Sequence, residues 1–150
     1  MLVGVISDTH GLLRPEAIAA LRGAEHILHA GDIGSPEIIP ALKTIAPVTA
    51  IRGNVDREPW TQKFPDTEVA QVAGLHIYMI HDLNALDLDP KASGFAAVIN
   101  GHTHQSRQET KNGVLYFNPG SAGPKRFNLP VSIGFLEIAD GKLSARTLVL

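Results

Sequence analysis

The sequence predicts an α/β fold with a parallel sheet in its first half and β-hairpins in its second half. In the first half, short apolar strands alternate with two helical segments, a pattern that is typical of parallel strands joined by crossover helices. In the second half, three strand pairs flank tight turns at Gly74, Asn112-Gly113 and Asp140-Gly141. With 150 residues, 44% of them hydrophobic, we expect one domain over residues 1–150.

Five elements are predicted in the first half. Leu2–Ile6 is a continuous apolar run, as expected of a strand that is covered on both faces. Pro15 is favoured in the first turn of a helix, and Gly23 is well suited to follow its end. In order, the elements are strand Leu2–Ile6, helix Pro15–Leu21, strand His26–Ala30, helix Ile38–Ile45 and strand Val48–Ile51.

The second half is predicted to be mainly strands. Residues Arg57–Asp66, which contain two prolines and the only Trp, are predicted to form a surface loop or lid. A short helical piece is expected over Asn84–Lys91. The predicted strands are Glu68–Ala73, Leu75–Ile80, Ala96–Asn100, Arg107–Lys111, Val114–Phe117, Ser132–Ile138 and Lys142–Leu148.

Composition excludes several classes of function. The chain has no cysteine, so disulfides, thiolate metal sites and a Cys nucleophile are excluded. Its formal net charge of −2 offers no general attraction to long nucleic acid or to an anionic membrane. The first residues, "MLVGVISDTHG", lack a basic region and favour a buried strand over a signal peptide, so we expect a cytoplasmic protein with no membrane partner.

Side chains able to bind a metal or a phosphate follow five of the predicted strands. They are Asp8 and His10 in "SDTHG", Asp32 in "HAGDIG", Asn54 and Asp56 in "RGNVD", His81 in "MIHD", and His102 and His104 in "NGHTH". Ligands of open α/β sheets bind beyond the carboxyl ends of strands, so these groups can converge. Taken alone, each motif is also compatible with an ordinary turn or helix cap, or, for His81, with a hydrogen-bonded core histidine. The ordered set favours a metal site.

The spacing of two of these motifs suits a pair of metal ions. In extended chain, residues i and i+2 point to the same side, roughly 6–7 Å apart. Asp8 and His10 have this spacing, and so do His102 and His104. Two metal ions about 3.5–4 Å apart are within reach of such pairs.

In this order, the motifs resemble the signature series of the calcineurin-like metallophosphoesterase superfamily. The segment "NPGSAGPKR", Asn118–Arg126, is similar to one found in its small phosphodiesterase branch, and the resemblance runs from Met1 to Arg126. It implies a four-layer αββα sandwich, in which two mixed β-sheets lie face to face with helices outside.

The resemblance also implies two divalent metal ions per chain and assigns their ligands. The first ion would be held by Asp8, His10, Asp32 and His104, and the second by Asp32, Asn54, His81 and His102, with Asp32 as the bridge. Asp32, Asn54, His81 and His102 are also the residues assigned as catalytic. A shell of oxygen and nitrogen ligands suits Mn²⁺ as the first choice, with Fe, Zn²⁺, Co²⁺ or Ni²⁺ as alternatives.

The function implied is hydrolysis of small phosphodiesters by a hydroxide that bridges the two ions. Two alternatives stay open. One is a phosphomonoesterase that uses the same site, and the other is a non-catalytic, metal-binding scaffold or interaction protein on the same fold. A homo-oligomer is also left open.

Several further residues have two readings each. Asp56 either orients a metal-bound His such as His10 or is a turn residue, and His29 is either a support for the site or a hydrogen-bonded core residue. Asn118, Gly120 and Ser121 form either a tight turn or a support for a ligand loop.

Two positions depart from the superfamily pattern. Many members have a His after Gly-Asn that can protonate the leaving group, whereas this chain has Val55 there. The small phosphodiesterase branch also lacks that His, so this departure agrees with the resemblance to that branch. A Gly often follows the His at position 81, whereas here it is Asp82, whose role the sequence leaves undecided. Arg126 is expected to be a solvated surface residue.

Overall fold

The computed structural model describes residues 1–150, which form ten strands, two α-helices and two short 3-10 helices. The α-helices are α1 (Pro15–Leu21) and α2 (Ile38–Lys43), and the 3-10 helices are Pro59–Lys63 and Leu83–Ala85. The strands are β1 (Leu2–Ile6), β2 (His26–His29), β3 (Val48–Ala50), β4 (Thr67–Val72), β5 (Leu75–Ile80), β6 (Ala97–Ile99), β7 (Arg107–Lys111), β8 (Val114–Asn118), β9 (Ser132–Ala139) and β10 (Lys142–Val149).

The strands form two mixed five-stranded sheets. The first sheet has the order β10-β9-β1-β2-β3. In it, β1, β2 and β3 are parallel, β9 is antiparallel to β1, and β10 is antiparallel to β9. The second sheet has the order β4-β5-β6-β8-β7, in which β5, β6 and β8 are parallel and each edge strand is antiparallel to its neighbour. The parallel first half and the hairpins of the second half are as the sequence predicts.

The main core lies between the two sheets. Val5 and Leu28 of the first sheet and Met79, Ile99 and Phe117 of the second belong to one buried cluster and have no exposed surface. Full burial of a side chain of this kind stabilises the fold by about 1.5–3 kcal/mol. Packing between the sheets therefore fixes their relative position and, with it, the position of the loops at their edges.

The outer faces of the two sheets are covered differently. Helices α1 and α2 cover the first sheet, where Leu21 and Leu42 share a buried cluster with Ile27. The second sheet is covered by irregular chain, from which Leu86 and Phe95 pack against a smaller cluster.

No helix in the molecule combines the length and the hydropathy that crossing a membrane requires.

The helical piece predicted over Asn84–Lys91 is wrong beyond its first residues. Only the 3-10 helix Leu83–Ala85 forms there, with the Asp82 carboxylate accepting a hydrogen bond from the Asn84 N–H at 3.0 Å. Pro90 disfavours helical backbone at the residue before it, and aspartates are poor in helix interiors. The chain therefore leaves the helix after one turn.

The stretch Arg57–Asp66 lies mostly at the surface, as the sequence predicts, but its centre is ordered as a short helix rather than an irregular loop. It contains the 3-10 helix Pro59–Lys63, in which Thr61 is buried. Trp60 and Phe64 pack against the apolar cluster beneath α1 and α2. The two apolar aromatic side chains anchor this segment to the body of the protein.

Candidate metal centre

The structure brings the seven predicted ligands together beyond the carboxyl ends of the parallel strands. Two groups of side chains form there, each with ligand atoms that lie within 4.8 Å of one another: Asp8, His10 and His104, and Asp32, His81 and His102. The seventh residue, Asn54, joins the second group, because its Oδ1 atom lies 3.1 Å from His102 Nδ1.

The Asp8 carboxylate has one oxygen fixed by the protein and one aimed into the site. Its Oδ2 atom accepts hydrogen bonds from the Ser7 hydroxyl at 2.7 Å and from the His102 N–H at 3.1 Å. Its Oδ1 atom lies 3.4 Å from His104 Nε2 and 3.8 Å from His10 Nε2. The side chain is fully buried, so the carboxylate is held in a single orientation.

Asp32 has the same division between its two oxygens and lies between the two groups. Its Oδ1 atom accepts a hydrogen bond from the Val55 N–H at 3.1 Å. Its Oδ2 atom lies 3.5 Å from His10 Nε2 and 3.2 Å from His81 Nε2. Two atoms that bind one tetrahedral ion through bonds of about 2.1 Å lie roughly 3.4 Å apart.

The histidine tautomers indicate that the site is built for a cation. His81 Nδ1 lies 2.7 Å from the Ala30 carbonyl oxygen, so Nδ1 carries a proton and Nε2 faces the carboxylates. His81 Nε2 and Asp8 Oδ1 are buried and have no hydrogen-bond partner. A buried polar atom without a partner costs about 1–3 kcal/mol. A divalent cation in each ligand group would give both atoms a partner, so the residues present fit metal ions.

The pKa shifts of Asp32 and His81 also indicate that the site favours positive charge. Burial raises the pKa of Asp32, but His81, the Val55 N–H and His10 outweigh it and lower this pKa to about 2. Burial lowers the pKa of His81, but the facing Asp32 and Asp8 outweigh it and raise this pKa above its ordinary value. The same two carboxylates that favour a proton on His81 would favour a metal ion in the site, so the two compete for it.

Five of the predicted ligands have left-handed backbone, which is uncommon for residues other than glycine. Their φ angles are +56° for Asp8, +45° for His10, +56° for Asp32, +73° for His102 and +62° for His104. Each such residue costs about 1–3 kcal/mol unless its surroundings hold it. The loops are therefore held in a conformation that serves the site at the expense of stability.

Two glycines allow the ligand loops to approach each other. A Cβ atom on Gly53 would lie 2.0 Å from Asp32 Oδ1, and a Cβ atom on Gly101 would lie 2.1 Å from Ser7 Oγ and 2.7 Å from Asp8 Oδ2. Any larger residue at either position would displace a carboxylate of the site.

Asp56 does not contact His10, contrary to the first of the two readings of this residue. Its carboxylate accepts hydrogen bonds from the backbone N–H groups of Ile33, Gly34 and Gly53 at 2.9 to 3.1 Å. The residue therefore ties the loop of Asp32 to the loop of Asn54. Sequence spacing alone does not show which N–H groups a turn carboxylate will face.

His29 is a core histidine. It is fully buried, with Nδ1 accepting a hydrogen bond from the Gly31 N–H at 3.1 Å and Nε2 lying 3.0 Å from Thr9 Oγ1. The Thr9 hydroxyl donates to the Ile33 carbonyl at 2.8 Å, so the proton between His29 and Thr9 belongs to His29 Nε2. Both ring nitrogens are thus used in supporting the two ligand loops.

The "NPGSAGPKR" segment contacts both ligand loops. Asn118 Nδ2 donates to the Gly101 carbonyl at 2.9 Å and to Thr103 Oγ1 at 3.1 Å. Ser121 Oγ donates to the Asp8 carbonyl at 3.0 Å. These contacts agree with the reading of this turn as a support for the ligand loops, whereas Arg126 is exposed as expected.

A cavity of about 580 Å³ opens beside the second group and is lined by Asn54, His81, Arg52 and Arg57. Arg52 is paired with Asp66 at 3.1 Å, and Arg57 Nε donates to the Asn54 carbonyl at 3.1 Å. The two arginines were not singled out by the sequence, although their positions on either side of Gly53-Asn54 are a usable signal.

Together, the double sheet and the paired carboxylate and histidine groups define a candidate metal-binding protein. Residues 1–141 match the model of the calcineurin-like phosphoesterase superfamily domain. A probable metallophosphoesterase of Methanothermobacter thermautotrophicus is 37% identical, with 97% of this chain and 90% of that protein covered. The chain therefore belongs to the calcineurin-like phosphoesterase superfamily.

Solved structures give the same fold. A structure described as a novel archaeal phosphodiesterase is 26% identical, covers 99% of this chain and all of its own, and superimposes with a TM-score of 0.81. Vps29 of Entamoeba histolytica, solved with zinc, is 25% identical, covers 99% of both chains and has a TM-score of 0.73. The resemblance seen in the sequence motifs is confirmed, as is the metallophosphoesterase fold.

Proposed function

We propose that the protein is a metal-dependent phosphodiesterase that acts on small phosphodiesters and holds two divalent cations. The observation that carries the proposal is the position of Asp32 Oδ2, which lies 3.5 Å from a histidine of one ligand group and 3.2 Å from a histidine of the other. An oxygen in this place can bridge two ions. Both ions, when bound, would polarise the phosphate and lower the pKa of water.

The side chains of the chain itself would position the substrate. Asn54 presents Oδ1 to His102 Nδ1, which leaves its amide NH₂ group free to donate to a phosphate oxygen. Arg52 and Arg57 line the same cavity, but both make contacts within the protein. Arg52 is neutralised by Asp66, so Arg57 is the one arginine of this lining without an acidic partner, and a single such charge favours a singly charged diester over a doubly charged monoester.

The likeness to Vps29 favours a second candidate function, a non-catalytic scaffold. Vps29 is named for vacuolar protein sorting and was solved with zinc, so metal binding alone would not separate an enzyme from a scaffold. In this chain, each of the seven predicted ligand positions holds a residue that can bind a metal, and six of them form two compact groups. This completeness favours catalysis.

Turnover decides between these functions. Protein stripped with a chelator and reloaded in turn with Mn²⁺, Fe²⁺, Zn²⁺, Co²⁺ or Ni²⁺ should be assayed on bis(p-nitrophenyl) phosphate and on p-nitrophenyl phosphate. We expect the diester to be cleaved at least tenfold faster with one or more metals. Faster cleavage of the monoester would indicate a phosphomonoesterase, and metal binding without any turnover would indicate a scaffold.

A further inference from the structure

A second cavity adjoins the candidate metal centre on the outer face of the second sheet. Its volume is about 440 Å³, within the range of roughly 300–1,000 Å³ that is typical of small-molecule sites. Its lining comes from β7, β8, the Leu83-Asn84 turn and the loop that carries His102. The irregular cover of this sheet packs around Tyr78 and Val98 and leaves this part of the face open.

The second cavity borders the cavity of the metal centre and shares a lining residue with it. Asp82 lines both, and its Oδ2 atom lies 3.8 Å from Nε2 of the predicted ligand His102. Gly101 and Thr103, on either side of His102, also line the second cavity. A molecule whose phosphate rests on the metal ligands can therefore extend one of its two ester arms past Asp82 into this space.

Most residues of the lining are polar and offer unused hydrogen-bonding groups, although slightly more of the lining surface is apolar than polar. Asn84 and Gln105 make hydrogen bonds only through their backbone groups, so their side-chain amides are free to bind a ligand. Tyr116 adds a phenol group and an aromatic ring. The hydroxyl groups of a sugar arm can pair with these donors and acceptors, and its C–H groups can lie on the apolar part of the lining.

Charge in the second cavity disfavours an anionic arm. Arg107 is paired with Glu109 at 3.1 Å, so these two lining residues largely neutralise each other. Asp82 is then the remaining charged side chain of the lining, and it would repel a second phosphate.

We propose that the second cavity binds an uncharged, hydroxylated arm of the substrate, so that the substrates are sugar phosphodiesters. This inference rests on the proposed phosphodiesterase function. It assigns Asn84, Gln105 and Tyr116 as specificity-determining residues that do not touch the reacting phosphate.

The test compares two diesters that share a leaving group and differ in one arm: the p-nitrophenyl phosphodiester of the ribose 5-hydroxyl and ethyl p-nitrophenyl phosphate. Wild type should cleave the ribose ester with at least tenfold higher kcat/KM. Gln105→Ala and Tyr116→Phe should each lower this value by roughly 3- to 10-fold, as expected for one lost hydrogen bond, and leave the ethyl ester unchanged. Gln108→Ala is the matched control, because Gln108 lies on β7 outside the cavity lining and should change neither ester.

Two results would overturn the inference while leaving the phosphodiesterase function intact. One is equal cleavage of the two esters by wild type, and the other is a loss on both esters in the Gln105 and Tyr116 variants. If wild type cleaves neither ester with any metal, the proposed function itself fails, and the inference about the second cavity fails with it.

Discussion

The Nε2 atoms of His10 and His104 lie 3.3 Å apart, although 94 positions separate the two residues in the chain. Two imidazole nitrogens at this distance either share one proton or share a cation. Asp8 Oδ1, buried and without a hydrogen-bond partner, lies 3.4 Å from His104 Nε2. The three atoms together are therefore suited to one metal ion, and Asp32 links them to the second group.

Loss of the bridging carboxylate should damage both metal sites, whereas loss of a ligand to one ion should damage mainly one. We expect metal analysis to find two ions per chain in wild type, about one in His104→Ala and fewer than one in Asp32→Ala. Both variants should remain folded, because the core between the sheets is apolar. Equal metal content in wild type and Asp32→Ala would show that Asp32 is not the bridge.

The left-handed backbone of His102 predicts an unusual order of stabilities. In the metal-free protein, His102→Gly should be more stable than His102→Ala by roughly 1 kcal/mol, because only glycine adopts φ near +73° without steric cost. Urea unfolding measures the difference. Thr103, which is not among the residues with positive φ, is the control, and there alanine should be the more stable replacement. The same order at both positions would argue against strain at His102.

His29 should make the stability of the protein fall at acidic pH. Burial lowers its pKa to about 4, against the opposing charges of Asp8 and Asp56. Its contribution is complete above the unfolded value of 6.5 and is lost as the pH falls toward 4, because the unfolded chain binds a proton that the folded chain does not. The loss should reach about 2 kcal/mol at pH 5.

Urea unfolding at pH 7.5 and pH 5 measures this effect. His29→Leu should show a smaller fall in stability between the two pH values than wild type, whatever its stability at pH 7.5. His76→Leu, which removes an exposed imidazole, should fall as much as wild type does. If the free energy of unfolding of His29→Leu falls as much between pH 7.5 and pH 5 as that of wild type, then His29 takes up its proton in the folded state as well.

The superfamily resemblance implies a general acid at position 55, where this chain has Val55, so we expect poor leaving groups to be cleaved slowly. Its side chain is 47% exposed, and its N–H is bonded to Asp32 Oδ1. Val55→His should raise kcat/KM for an alkyl diester by at least roughly tenfold and change an activated aryl diester little, because general acid catalysis is worth about 10²–10⁴-fold. Val55→Asn, which is polar but a poor acid, is the control. An unchanged ratio between the two diesters in Val55→His would place the side chain away from the leaving group.

The sequence predicts the order of the strands along the chain and the polar residues that gather where the strands end. This prediction succeeded because apolar runs that end in Gly-Asp or Gly-Asn define where parallel strands stop. The sequence left Asp56 open between two readings and did not predict the 3-10 helix within Arg57–Asp66, because the partners of both are brought together only by tertiary packing. The second cavity could not be predicted from the sequence either, because it lies where the irregular chain that covers the second sheet ends.

The most direct test of the two-metal centre is anomalous diffraction from crystals of the protein grown with Mn²⁺ or Zn²⁺. Two peaks roughly 3.5–4 Å apart are expected, with Asp32 between them. Asp8, His10 and His104 should surround one peak, and Asn54, His81 and His102 the other. A single peak, or peaks away from these seven side chains, would contradict the account.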